Sequence, residues 1–481
     1  MSPNAAPSLA SNPVCHNDSI QTSIRPLLDV VGADLQVPLV TGEQVRYANL
    51  DYAASAPALA AVAAHVDEVL PFYASVHRGA GYASKVSTAV LERSRAVVGR
   101  FVGARAGDVV VFTRNTTDAL NLLSGCLPAW GDVVFLDAEH HANLLPWQRG
   151  PHRCVPTAAT VEATLAALEQ TLSERAAALV AVTGASNVTG EELPVDRVVV
   201  LAHRYGARVV VDAAQLAPHR RIDLDASGAD YVAFSGHKLY APYGTGVLVG
   251  RRDWLDRGTP HLAGGGAVQR VWVSSQTSEG DGDVGVEWAC APARHEGGTP
   301  NVLGAVALAA ACEQLLALPE AALEVHEAGL RDRLVDGLTA IPGVRVHRAF
   351  TDAPSSIGVV TFTVDGVAPG LVAAYLSAEH GIGVRDGKFC AHPLLARIGL
   401  PDGAVRASVG VGSSSPDVDR LVAAVDRLVT EGPGWTYGLV EGRWAPTPDP
   451  RPLPGWAGAV AGAAGSSPCL PTERAGVPVT R

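Results

Sequence analysis

Residues 234–246 read FSGHKLYAPYGTG. A short apolar run, YVAF, ends here on small, polar and turn-forming residues that carry one lysine, Lys238, and a second apolar run, GVLVG, follows. Of the 37 basic residues in the chain only three are lysines, Lys85, Lys238 and Lys388; the rest are arginines. A guanidinium stays charged and serves wherever a fixed cation suffices, whereas an ammonium can lose its proton and act as an amine. The Ala-, Gly- and Arg-rich composition is also what a codon bias against lysine produces. The role of Lys238 is therefore read from its surroundings.

Outward from that stretch, short Val-rich runs alternate with helix-patterned segments: DVVVFT before DALNLLSGCL, then DVVFLD, AALVAVT before PVDRVVVLAHRYG, RVVVDAA, YVAFSG and GVLVG. Near-continuous apolarity in such short runs predicts strands of a mainly parallel sheet covered by helices on both faces. The fold class is α/β. A large domain is expected over residues 45–318 and a smaller α+β C-terminal domain over 319–432. Residues 1–44 are expected to pack on the smaller domain, and 433–481, with APTPDPRPLPG and AGAVAGAAGSS, read as a Pro/Gly/Ala-rich, partly disordered tail. No internal repeat is present.

With 47% apolar residues over 481 positions the chain can bury a large core. A net charge of −11, with no Lys/Arg cluster, disfavours nucleic acid as a partner. The seven cysteines, at positions 15, 126, 154, 290, 312, 390 and 469, form no C-x-x-C pair, so neither a disulfide framework nor a zinc ribbon is indicated and a reducing compartment fits. The N-terminal residues lack the basic and apolar regions of a signal peptide, and no apolar run reaches the ~18 residues that span a bilayer. The expectation is a cytoplasmic protein with no membrane partner.

In an open α/β sheet, ligands sit beyond the carboxyl ends of the strands. Three polar clusters fall there: Asn115, Thr116 and Thr117 after VVVFT; Asp212 and Gln215 after RVVV; and Ser235, His237 and Lys238 after YVAF. The first could hold a phosphate at a helix N-terminus, although taken alone it reads more readily as an ordinary N-cap. Asp212 alone reads as a cap or a surface carboxylate. Together, a carboxylate able to hold a protonated pyridine nitrogen, a phosphate cradle and a lysine able to lose its proton describe a site for pyridoxal 5'-phosphate. His140 and His141 lack the acidic and cysteine partners of a metal site, and no metal is expected.

The segments LDYAASAPA, VHRGAGYAS, TRNTTDALNLL, AEHHANLLPW, GASNVTG, VDAAQLAPH, FSGHKLYAPYGTGVL, EGGTPN, RDGKFCAHPLL and VRASVG, spread in order over residues 48–428, resemble those of class V, fold-type I pyridoxal-phosphate enzymes. The similarity is greatest to the cysteine desulfurase and selenocysteine lyase group. The resemblance implies a role for each of several residues. Lys238 bonds the cofactor aldehyde, Asp212 pairs with the ring nitrogen, Gln215 reaches the ring hydroxyl oxygen, and His140 stacks on the ring with Asn187 nearby. Thr116 or Thr117, Ser235 and His237 bind the phosphate, joined by Gly298 and Thr299 from the partner subunit of a homodimer. Arg406 clamps the substrate carboxylate, and Arg385 and His77 line the pocket. Cys390 stands where the desulfurases of the family carry the thiol that receives sulfur, and it decides more about the reaction than any other residue.

The implied reaction takes sulfur or selenium from L-cysteine or selenocysteine, leaves alanine, and hands sulfur from Cys390 to an acceptor that can be a protein. The alternative is another class V activity: a carbon–sulfur lyase, an epimerase or an aminotransferase. A dimeric binding protein with little turnover is a third reading. Both termini extend beyond the family's usual frame, and two internal departures stand out. DGKF lies between Arg385 and Cys390, where relatives commonly have a small residue, Gly and two histidines, and the acidic stretch SSQTSEGDGDVGVEW precedes EGGTPN.

Overall fold

The computed structural model describes residues 23–273 and 284–457. Seven strands build the main sheet: β1 (Val109–Thr113), β2 (Asp132–Leu136), β3 (His152–Val155), β4 (Ala177–Thr183), β5 (Arg208–Asp212), β6 (Tyr231–Ser235) and β7 (Gly246–Gly250). Their order is β1-β7-β6-β5-β4-β2-β3. The neighbouring pairs among β2 to β6 are parallel, while β7 runs antiparallel to both β1 and β6.

Side chains alternate between faces along a strand, and both faces here are dry. Val180, Val182, Val209 and Val211 enter one apolar cluster, while Leu179, Ala181 and Val210 enter another on the opposite side. That two-sided burial is why the strand sequences show so little polar alternation.

The antiparallel course of β7 shapes the turn that carries Lys238. Between β6 and β7 the backbone crowds itself: a Cβ on Gly236 would lie 2.8 Å from the Thr245 oxygen and 2.9 Å from the Ala241 oxygen. Gly246 is equally constrained, since a Cβ there would lie 2.5 Å from the Asn115 Cα. This close approach brings the turn after β6 against the start of the helix Thr116–Ser124.

The smaller unit is a four-stranded antiparallel sheet of β8 (Val344–His347), β9 (Val359–Val364), β10 (Arg385–Gly387) and β11 (Ala404–Ser408), in the order β8-β9-β11-β10. Leu330, Leu334 and Leu338 from the helix Ala322–Thr339, together with Leu421 and Val425 from Ser415–Glu431, bury against Phe362 and Val405 of that sheet. Residues 23–44 touch both units. Ile24 joins the core of the smaller one, and Leu27, Leu28 and Val30 join that of the larger. Residues 1–22 and the acidic segment 274–283 lie outside the described residues, as does 458–481.

One expectation needs correcting. Residues 433–457, within the stretch read as a partly disordered tail, include a hairpin of Tyr437–Val440 and Arg443–Pro446. Its aromatic residues give it something to pack: Tyr437 sits against the small-unit core and donates its hydroxyl to Glu379 at 2.9 Å. Among the described residues no helix is long and apolar enough to cross a membrane.

Candidate active site

The carboxyl ends of β1, β2, β4, β5 and β6 face the smaller unit across a cavity of about 1110 Å³. From the large unit it is lined by Thr116, Thr117, His140, Asp212, Gln215 and Lys238. Ser235, His237 and Asn187 also line it, and the smaller unit contributes Arg385, Cys390 and Arg406.

Thr116 Oγ1 and Ser235 Oγ lie 2.7 Å apart, and the Thr116 backbone N–H donates to the same Ser235 oxygen at 2.8 Å. Asn115 caps this helix by accepting from the Asp118 N–H at 2.9 Å. The cluster is therefore both a cap and a pair of buried hydroxyls at the positive end of a helix, which suits an anion.

Asp212 closes β5, 3% exposed, and accepts from the Ala214 N–H at 2.9 Å. Burial raises its pKa, and that N–H and the neighbouring Lys238 oppose the rise. The Lys238 amine is pushed down to about 8, chiefly by desolvation; Asp212 and Cys390 pull it back up, while Arg406 pushes it further down. About a tenth of it is thus neutral at pH 7, far more than for an ordinary lysine. Burial and the nearby Lys238 charge also hold the imidazoles of His140 and His237 down, to about 3 and about 4. His140 is neutral, with Nδ1 accepting from the Ala142 N–H at 3.0 Å.

Arg406 lies in β11, 3% exposed. It donates to the Asn187 carbonyl at 2.9 Å and to Asp51 Oδ1 at 3.2 Å. Arg385 pairs with the other Asp51 oxygen at 3.0 Å, so one carboxylate aligns both guanidinium groups. Asp51 was given no role from the sequence although it lies in LDYAASAPA, a motif already singled out. Burial lowers Arg406 to about 10, which leaves it charged at neutral pH.

The loop bearing Cys390 is held in an uncommon shape. Phe389 and Cys390 have φ of 50° and 52°, left-handed values that cost non-glycine residues roughly 1–2 kcal/mol each. Asn187 Nδ2 donates to the Phe389 carbonyl at 2.8 Å, and the His141 N–H donates to the Cys390 carbonyl at 2.9 Å. The Phe389 ring stacks on Arg406, 5.2 Å from its guanidinium carbon. The departure DGKF thus places an aromatic ring against a cation, a contact worth roughly 0.5–2 kcal/mol.

A second carboxyl went unnoticed in the sequence. Glu139, beside His140 in EHHAN, is fully buried and accepts from Asn143 Nδ2 at 2.7 Å. Burial, with the Asp212 charge adding to it, lifts it to about 8. At neutral pH it is therefore largely an uncharged acid behind Asp212.

Three predicted residues do not line this chain's cavity. The His77 ring is hydrogen-bonded to Glu92 at 3.0 Å, on a half-exposed surface. The Gly298 N–H donates to the Gly265 carbonyl at 2.7 Å, and the Arg78 side chain, which follows His77, approaches Gly265 and Gly266 of the same turn. His77, Gly298 and Thr299 thus belong to one surface region outside the cavity.

The residues present fit pyridoxal phosphate on two observations. The cavity joins a buried hydroxyl pair at a helix N-terminus, a carboxylate and an amine of lowered pKa. Gln215 also donates Nε2 to the Ala53 carbonyl at 2.7 Å while its buried Oε1 has no partner among the described residues, so it can serve a bound polar group.

Residues 48–421 match the family model described as Aminotransferase class-V. A probable cysteine desulfurase from Vibrio cholerae is 36% identical over 379 residues, covering 76% of this chain and 90% of that protein. A probable cysteine desulfurase from Mycobacterium leprae is 39% identical, covering 74% of this chain and 85% of its own length. The solved structure of a cysteine desulfurase from Thermococcus onnurineus NA1 superposes with a TM-score of 0.71 at 33% identity, covering 80% of this chain and 94% of that one. A match over most of the chain, joined to this sheet order and these strand-end residues, makes the protein a fold-type I member of the class V aminotransferase family.

Proposed function

We propose that this protein binds pyridoxal phosphate through Lys238 and removes sulfur from L-cysteine, or selenium from selenocysteine, to give alanine, with Cys390 receiving the sulfur. The observation that carries the reading is that Lys238, Asp212, Arg406 and Cys390 meet in one cavity, where the Cys390 and Arg406 charges both act on the Lys238 amine. Relatives named cysteine desulfurase support the choice of substrate.

When bound, pyridoxal phosphate supplies an aldehyde that joins amines and a ring that takes up the electron pair released at a substrate α-carbon. Thr116, Ser235 and His237 would hold its phosphate, Asp212 its protonated ring nitrogen, Gln215 its hydroxyl oxygen, and the neutral His140 ring would stack on its face. Arg406 binds the substrate carboxylate in a two-pronged geometry that guanidinium favours. Lys238 would hold the aldehyde and, when free, would accept the substrate α-proton at Nζ. Cys390 Sγ, as thiolate, attacks the substrate sulfur. The carbon–sulfur bond breaks with its electron pair left on carbon, which takes up a proton to become the alanine methyl group; the α-proton returns from Lys238 Nζ to the α-carbon, and the new S–S bond leaves Cys390 as a persulfide. The protein works as a homodimer in the cytoplasm, with His77, Gly298 and Thr299 serving the cavity of a second copy.

The test is incubation with cysteine and a reductant while alanine and sulfide are measured together. Equal amounts of both are expected; alanine without sulfide, or neither, contradicts the reading.

Two further outcomes follow from the site. Ser235→Ala removes one hydroxyl of the anion pair, and a hydrogen bond to a charged group is worth ~1.5–3 kcal/mol, so pyridoxal phosphate should bind roughly ten- to a hundredfold more weakly; equilibrium titration followed by absorbance checks this. Capture of the cofactor should also depend on pH. With Lys238 near 8, protonated amine dominates below that value and cannot attack, so the capture rate should rise about tenfold per pH unit at lower pH and level off above ~8. A rise that continues to pH 10 would show an ordinary lysine.

A further inference from the structure

The cavity, at about 1110 Å³, stands at the upper end of the roughly 300–1,000 Å³ usual for a small-molecule site. Its outer part is bounded by a segment beyond the family match, which ends at residue 421. Gly442, Arg443 and Trp444 of the C-terminal hairpin line it, facing the same space as Lys388 and Cys390.

The hairpin is fastened to the helix Pro369–His380, whose first turns also line the cavity. One carboxylate does most of the fastening. Glu379 accepts from the Gly434 N–H at 2.9 Å, the Trp435 N–H at 3.1 Å and the Tyr437 hydroxyl at 2.9 Å. Trp444 lies on the helix where Gly370 leaves room: a Cβ at that glycine would come within 3.0 Å of Trp444 Cδ1. The Trp444 ring is therefore seated on the cavity rim by a specific fit, and it is only partly buried.

Resting on the desulfurase reading above, we propose that this hairpin is a size-selective wall in front of Cys390, with Trp444 its principal element, admitting compact thiols as sulfur acceptors and slowing bulky ones. In the step it controls, the thiolate of an acceptor R–S⁻ attacks the outer sulfur of the Cys390 persulfide. The persulfide S–S bond breaks, the Cys390 thiolate leaves, and the acceptor carries the sulfur away as R–S–SH; no oxidant or reductant is consumed. A bulky acceptor must bring its thiol past the Trp444 ring to reach that sulfur.

The experiment uses the holoenzyme, loaded with sulfur from L-cysteine and freed of excess substrate. Transfer rates are compared for 2-mercaptoethanol and for a small globular protein with one exposed thiol. For Trp444→Ala, the ratio of the compact-thiol rate to the protein-thiol rate should fall by about tenfold, the scale that one removed side-chain contact changes selectivity. Glu379→Ala, which loosens the hairpin without altering any cavity-lining side chain, should lower the ratio in the same direction. Circular dichroism and cofactor absorbance confirm that both variants are folded and loaded. Wild-type ratios in both variants overturn the proposal, and so does an equal slowing with both thiols, which would place Trp444 in the reaction itself. Failure of the wild type to form alanine in the loading step is a separate result: it overturns the desulfurase reading and the proposal with it.

Discussion

Lys238→Ala is expected to abolish alanine formation from cysteine, by at least ~10³-fold, since proton transfer by a placed side chain alone contributes roughly 10²–10⁴. The loss has two sources, the covalent hold on the cofactor and the acceptor of the α-proton. Lys238→Arg should be equally inactive even though it keeps the positive charge, because a guanidinium does not become a neutral nucleophile. Amino-acid analysis of timed reactions measures both, with circular dichroism as the folding control. Activity within tenfold of wild type in either variant would remove Lys238 from the chemistry.

The second large effect falls on Cys390. Cys390→Ala should stop sulfide release from cysteine, a loss on the order of 10³-fold or more for removal of an activated nucleophile. The cofactor spectrum should be retained, because the residues expected to hold it lie at the strand ends of the large unit. Elimination from selenocysteine should persist, since selenium leaves without help from an attacking thiol. Sulfide release from cysteine at the parental rate would contradict the persulfide step and favour a carbon–sulfur lyase.

Much of this arrangement could be read from the residues, for identifiable reasons. The Val-rich runs announced strands because both faces of the main sheet are buried, as Val180 and Leu179 show by entering opposite clusters. Their carboxyl ends announced the cavity because the chain places Thr116, Asp212 and Lys238 directly after β1, within β5 and after β6. The reversed direction of β7 was not legible: GVLVG is equally apolar whichever way it runs, and only its pairing shows the direction, with Gly246 opposite both Thr113 and Ser235.

Other features depend on contacts distant in sequence. Asp51 orients Arg385 and Arg406 across the two units, and nothing local to LDYAASAPA marks it as their partner. The Phe389 ring could be seen as a departure but not as a lid on Arg406. The C-terminal hairpin was hidden by its prolines and glycines; Trp435, Tyr437 and Trp444 were the signal that a packed element lay there. His77 illustrates the opposite case, a motif residue whose ring pairs with Glu92 away from this chain's cavity.

The central claim is that one particular amine holds the cofactor, and the chain provides its own control, because Lys388 lines the same cavity as Lys238. Borohydride reduction of the protein with pyridoxal phosphate bound, followed by proteolysis and mass mapping, locates the modified lysine. The account predicts a pyridoxyl group on Lys238 in the peptide containing FSGHKLY. Modification of Lys388 or Lys85 instead, or of no lysine, would contradict it.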